Sequence, residues 1–198
     1  SKTFDVARVR EVLEAGISDI GENFVQELRD KRAELNNPDI RWHFVGHLQS
    51  NKVKYIADFI SLIHSTDHRS VAEEIDKRGA RIGRLIDVLV EVNTTGERTK
   101  FGVLPESTIE FVKSLAHLRN LRVRGLMTMG PFLPDPEDSR PAFRTLREFR
   151  DEVRNAGIEN VEMTELSMGM TNDFEVAIEE GATMVRIGTA IFGPRKTD

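Results

Sequence analysis

The sequence predicts an α/β chain whose strands run parallel and close into a (β/α)8 barrel. Three observations carry this. Helical apolar spacing alternates along the chain with short β-branched runs. Glycines stand where successive helices must stop. The stretch 85–92 is apolar almost throughout, as suits a strand covered by helices. Strict alternation requires crossover connections and hence a parallel sheet. The repeat length favours a barrel over an open doubly wound sheet.

The elements follow in order. Val6, Val9 and Leu13 share a helical face, Gly16 ends that helix, and Ile17-Ser18-Asp19-Ile20 reads as a strand. Phe24, Val25, Leu28 and Leu35 mark the next helix, and 40–45 the next strand. Val53, Ile56 and Ala57 precede a strand at 59–63. Val71 and Ile75 lie on a helix closed near Gly79, ahead of the strand at 85–92. Pro105 opens a helix bearing Ile109, Val112 and Leu115, and 121–126 is a strand. Phe143, Leu146 and Val153 lie on a long charged helix ending at Gly157, before a strand at 161–166. Asn172 or Asp173 caps a helix closed at Gly181, and 184–187 is the last strand. Seven strands result. A barrel of eight puts its first helix and strand upstream of Ser1, missing from this chain. No linker or composition shift divides residues 1–198, so one domain is expected.

Composition narrows the function. The 198 residues include no cysteine, which excludes disulfides and thiolate-bound metal. A net charge of −5 argues against a nucleic-acid partner. No apolar run approaches the ~20 residues of a membrane span. A cytoplasmic protein is expected, and the basic pairs Lys31-Arg32 and Lys52/Lys54 read as solvated helix faces.

The working face of a parallel barrel lies at the C-terminal strand ends. Two of these ends offer backbone N–H groups, a hydroxyl and small residues: Ser167-Met168-Gly169-Met170-Thr171 and Gly188-Thr189-Ala190. At adjacent strands they suit a phosphate. Arg186, inside an apolar strand, points to a ligand or an ion pair in equal measure. Lys2 gains interest only at the end of an upstream strand, where its amine can form an imine with an aldehyde. His43, among aromatics, reads as a core residue. His47, His64 and His68 show no metal spacing. Lys100 reads as solvated. No P-loop, dinucleotide fingerprint or nucleophile elbow is present.

Five segments then resemble one family, the pyridoxal phosphate homeostasis proteins, barrel-only relatives of alanine racemase. They are Ser1-Lys2-Thr3, Gly21-Glu22-Asn23-Phe24-Val25-Gln26-Glu27, Trp42-His43-Phe44-Val45-Gly46-His47-Leu48-Gln49-Ser50-Asn51-Lys52, Leu166-Ser167-Met168-Gly169-Met170-Thr171 and Met184-Val185-Arg186-Ile187-Gly188-Thr189-Ala190-Ile191-Phe192-Gly193. The resemblance implies the alanine racemase N-terminal barrel and pyridoxal 5′-phosphate (PLP) as cofactor. It implies a Schiff base on Lys2 and Arg186 facing the pyridine nitrogen. Ser167, Met168, Gly188 and Thr189 would lie at the phosphate, and Asn23 and His43 beside the ring. It implies a monomeric carrier, with no catalytic residue of its own, that holds PLP and releases it, with PLP-dependent apoenzymes as recipients. The alternative is a PLP-dependent racemase or decarboxylase of the same fold.

Overall fold

Alternation of side chains along each strand decides which residues meet the helices and which face the barrel axis. The computed structural model describes residues 1–97, 100–131 and 133–194. Its strands are β1 (Asp19–Glu22), β2 (Arg41–Phe44), β3 (Leu62–Thr66), β4 (Ile86–Glu91), β5 (Leu121–Met127), β6 (Val161–Met170) and β7 (Met184–Arg186). All are parallel and pair in chain order, β1 to β7. The helices are α1 (Val6–Glu14), α2 (Val25–Leu35), α3 (Ser50–Val53), α4 (Arg69–Ile82), α5 (Thr108–Leu115), α6 (Arg140–Asn155), α7 (Phe174–Glu179) and α8 (Thr189–Phe192). The sheet curls into a nearly closed barrel. Among the described residues β1 and β7 form its two edges, and the layers outside them meet: the Phe4 and Phe192 rings stack at 4.9 Å.

In β4, outward Ile86, Val88 and Val90 join the main core against the helices, while inward Leu89 packs with Leu62 and Met127 in a small separate cluster. The inward residues at the strand starts are charged instead. Arg122 of β5 grips Asp87 of β4 at 2.7 and 2.9 Å, and Glu162 of β6 at 3.2 Å. Arg124 reaches Glu162 at 3.1 Å and Glu165 at 3.5 Å. These cross-strand pairs fix neighbouring registers. Where β5 and β6 slip in register, Gly125 is required, because a Cβ there would fall 1.9 Å from the Glu165 carbonyl oxygen.

Two strands sit later in the chain than the sequence reading places them. Ile17 donates to the Val12 carbonyl and belongs to the exit of α1, so β1 begins at Asp19. Phe59 and Ile60 donate to the Ile56 carbonyl in turns after α3, so β3 runs from Leu62 to Thr66 and takes in His64, Ser65 and Thr66.

The start of the chain is tied to β1 by a buried ion pair. Glu22 (0 % exposed) and Lys31 of α2 (6 %) meet at 2.6 Å. Lys31 Nζ also donates to the Ser1 carbonyl at 2.7 Å, and the Ser1 hydroxyl donates to Glu22. The Glu22 carbonyl accepts from Val45 on the β2 side. The Gly21 carbonyl therefore points to the other side of β1, where the Ser1 backbone nitrogen donates to it at 2.6 Å. Lys31→Met leaves the Glu22 carboxylate buried without its cation and is expected to cost about 3–5 kcal/mol in urea unfolding. The double variant Lys31→Met/Glu22→Leu should recover most of that loss. Equal losses in both variants would refute the assignment of the cost to an uncompensated charge.

Candidate functional site

Inside the barrel, five side chains from four strands and the edge strand β1 form one hydrogen-bonded row. Arg186 of β7 donates from Nη1 to the Ser167 hydroxyl of β6 at 2.7 Å. Ser167 Oγ lies 2.9 Å from His64 Nδ1 of β3. His64 Nε2 lies 2.9 Å from His43 Nδ1 of β2, and His43 Nε2 lies 3.1 Å from Asp19 Oδ1 of β1. A carboxylate cannot donate, so His43 gives Nε2–H to Asp19. With both imidazoles neutral, His64 gives Nε2–H to His43 and Ser167 gives its proton to His64 Nδ1, while Ser167 Oγ accepts from Arg186.

The electrostatics agree. Burial holds His64 well below the usual histidine range, with the nearby His43 and Arg186 acting the same way. Burial also lowers His43, against the pull of Asp19. The hydrogen bond from Arg41 keeps Asp19 below the usual carboxylate range. Ser167→Ala removes the hinge of the row and leaves Arg186 Nη1 and buried His64 Nδ1 without partners. The expected loss is about 2–4 kcal/mol in urea unfolding, and a change below about 0.5 kcal/mol would show that the row carries no load.

Arg186 is partly buried. Its Nη2 donates to the Thr128 carbonyl at 2.7 Å and touches Met129 Sδ at 3.4 Å. Thr128 is itself fixed through its hydroxyl, which donates to the Val92 carbonyl at 2.8 Å. Among the described residues no carboxylate forms an ion pair with Arg186, and two of its five donor hydrogens, on Nε and Nη1, have no protein partner. Burial pulls its pKa down to about 10, while the charges of Glu91 and Asp173 oppose that.

Glu91, the last residue of β4, is 6 % exposed. Burial first, and then the charge of Asp67, push it up to about 7, against the pull of Arg186. Its folded-state pKa lies above the unfolded value of 4.5. The stability it contributes is therefore complete below pH 4.5 and disappears as pH rises through 7. Relative to Glu91→Gln, the wild type should lose about 3 kcal/mol of unfolding free energy between pH 4.5 and about pH 8. A pH-independent difference between the two proteins would contradict the assignment.

Beside this row, Thr171 Oγ1 accepts from the backbone N–H groups of Gly188 at 3.3 Å and Ala190 at 3.4 Å. Both bonds are long, and a Cβ on Gly188 would meet nothing within 4 Å. Two amides thus share one weak acceptor beside a glycine that leaves room on its Cα, a cradle suited to an anion. Thr189 begins α8 next to it. Met168 is fully buried, with its side chain in the main core and turned away from the row. Lys2 and Asn23 lie at the exit of β1. Lys2 Nζ stands 5.0 Å over the Phe24 ring, and Asn23 lines a cleft with Phe24 and His47.

The structure therefore joins Ser167 to Arg186 directly and to His43 through His64, and sets Gly188 and Thr189 beside Thr171. Among the described residues no hydrogen bond ties Lys2 or Asn23 to that row. Sequence reading assigned no role to Asp19, His64, Glu91 or Thr128, and gave Thr171 only as the last residue of a candidate phosphate segment. Glu91 had a legible signal, as a carboxylate two places after Leu89 on the inward face of an otherwise apolar strand. The network contacts of His64 and Asp19 span 103 and 24 residues of sequence, and no local pattern announces them.

These features define a parallel α/β barrel whose mouth holds a cation and a pair of amides ready for an anion. The family model of the alanine racemase N-terminal domain matches residues 1–196. A pyridoxal phosphate homeostasis protein of Aquifex aeolicus is 51% identical over 196 residues, covering 99% of this chain and 85% of that protein. One of Pseudomonas aeruginosa is 41% identical over 199 residues, covering 98% and 82%. The structure of PipY of Synechococcus elongatus with PLP bound superposes with a TM-score of 0.89 at 34% identity, over 98% of this chain and 90% of that one. An alanine racemase of Clostridium difficile shares the fold at a TM-score of 0.77 and 15% identity, over 96% of this chain and 49% of that one. The chain belongs to the alanine racemase N-terminal domain family, within its pyridoxal phosphate homeostasis protein branch.

Proposed function

We propose that this chain binds pyridoxal 5′-phosphate at the barrel mouth as a Schiff base on Lys2, and acts in PLP homeostasis as a monomeric cytoplasmic carrier that yields PLP to apoenzymes with little or no turnover. The observation that carries the reading is Arg186: a cation that among the described residues has no carboxylate partner, aimed by Ser167, near two amides that share one long acceptor. The relatives' names and the PLP-bound PipY structure support the same cofactor.

Bound PLP supplies an aldehyde that amines capture reversibly and a ring that can draw electrons. Lys2 provides the capturing amine. Arg186 donates from its free N–H groups toward the ring nitrogen. Because an arginine there does not give up a proton, the nitrogen stays unprotonated and the ring is a weak electron sink. Gly188 and Ala190 would donate their amides to the phosphate, with the Thr171 and Thr189 hydroxyls alongside. Ser167 acts through Arg186, whose position it fixes, while His43 holds the far end of that row and Asn23 borders the ring from β1.

Racemase or decarboxylase chemistry needs a second acid or base at the substrate carbon. The chain has one tyrosine, Tyr55. It lies on the outer surface under Arg29, Lys52 and Lys54. That placement supports a holder rather than a catalyst.

The test is a visible spectrum of the PLP-loaded protein before and after borohydride reduction. One cofactor should be locked onto Lys2 by reduction, and Lys2→Ala should lose both the imine band and the locked cofactor. A band that persists in Lys2→Ala would transfer the role to another lysine. Racemisation or decarboxylation at about 1 per second or faster would overturn the carrier reading.

A further inference from the structure

Two adjoining clefts open on the outer face, beside the exits of β1 and β2. One, of about 380 Å³, is lined by Asn23, Phe24, Arg29, His47, Lys52 and Tyr55 among others. The other, of about 390 Å³, includes Arg29, Arg32, Lys54, Asp58 and Phe59. Arg29 and Tyr55 belong to both.

Most cations on this surface are matched by acids, as at Arg8–Glu11, Arg69–Glu73, Lys113–Glu110 and Arg140–Glu179. The four in the clefts are not. Among the described residues the side chains of Arg29, Arg32, Lys52 and Lys54 make no ion pair and donate no hydrogen bond to protein. All four are exposed and stand over aromatic rings. Arg29, Lys52 and Lys54 lie 5.0, 5.8 and 4.9 Å from the Tyr55 centroid, and Arg32 lies 4.2 Å from that of Phe59. Three like charges gathered round one ring repel one another, and an arriving carboxylate relieves that repulsion as it pairs. A tyrosine ringed by arginine and lysine beside a concavity is also the composition of a protein-binding hot spot.

We infer that this surface docks an acidic segment of another protein, with a carboxylate side chain entering between Arg29 and Lys52 beside Tyr55. A nucleic acid fits less well. The chain as a whole is acidic, and Asp30 and Asp58 line the same surface, where they would oppose a run of phosphates but suit a mixed protein face. The partner's identity rests on the proposed function. Phe24 lines the first cleft and lies under Lys2, so a protein docked there stands next to the amine that would hold the cofactor, as an acceptor apoenzyme must.

The variant is R29Q/K52Q/K54Q in the full chain, with R81Q/R119Q as a control for loss of charge elsewhere. Fluorescence anisotropy of a fluorescein-labelled Glu-rich peptide reads docking without any cofactor. Binding should weaken about tenfold or more in the triple variant, stay unchanged in the control, and fall with added salt. An oligothymidylate of the same length should bind more weakly than the peptide. The rate of PLP transfer to an acidic apo-aminotransferase should fall in parallel, while release to free glycine stays at the wild-type rate. Equal peptide binding in wild type and triple variant, no binding to wild type, or tighter binding of the oligonucleotide would each overturn the docking surface. Failure of the wild type to load PLP would overturn the proposed function instead, and the peptide measurement would still decide the docking.

Discussion

The arrangement of the barrel mouth depends on hydrogen-bond polarity. Arg186 can only donate and Asp19 can only accept, and with both imidazoles neutral every proton between them has one place. The three intermediate groups are a hydroxyl and two imidazoles, each able to donate once and accept once along the row. A second proton on either histidine would place another positive charge in the barrel, in conflict with its buried surroundings and with the cations nearby. The low dielectric that makes such a conflict costly is the same factor that keeps both imidazoles neutral. One row of contacts thus ties β1, β2, β3, β6 and β7 together across the axis.

The row also explains how a cation survives without an ion pair. A carboxylate in contact with Arg186 would compete with any anionic or electron-rich ligand for the same donors. Here the nearest counter-charges, Glu91 and Asp173, act at longer range, and Glu91 is itself only partly ionised at neutral pH. The guanidinium is held by neutral acceptors, the Ser167 hydroxyl and the Thr128 carbonyl. These fix its plane without cancelling its charge. That is the electrostatic condition a resident anionic cofactor requires.

Much of the fold was legible because parallel strands under helices announce themselves by composition. The run at 85–92 and the glycine-closed helices placed seven strands in their proper order. What was misplaced follows from the polar interior. His64, Ser65 and Thr66 look like the loop after a strand, yet they are its body, because the inward face of β3 joins a polar network rather than an apolar core. Gly188-Thr189-Ala190 follows β7 as read, but Ser167 to Met170 are the end of β6 and not a loop after it. The contacts of Ser167 were not legible, since its partners come from β3 and β7 and only folding brings them within reach. The basic pairs at 31–32 and 52–54 looked alike in sequence, but Lys31 is buried against Glu22 while its neighbours Arg32, Lys52 and Lys54 remain unpaired on the surface.

The inside and the outside of the mouth treat their cations alike. Within the barrel Arg186 is fixed by the Ser167 hydroxyl and the Thr128 carbonyl, both neutral. On the outer face Arg29, Lys52 and Lys54 are gathered round the Tyr55 ring, which is neutral as well. In both places the positive charge is positioned by groups that do not cancel it, because among the described residues no carboxylate forms an ion pair with any of the four. A charge held in this way keeps its full attraction for an arriving anion, whether that anion enters the barrel or settles on the surface beside it.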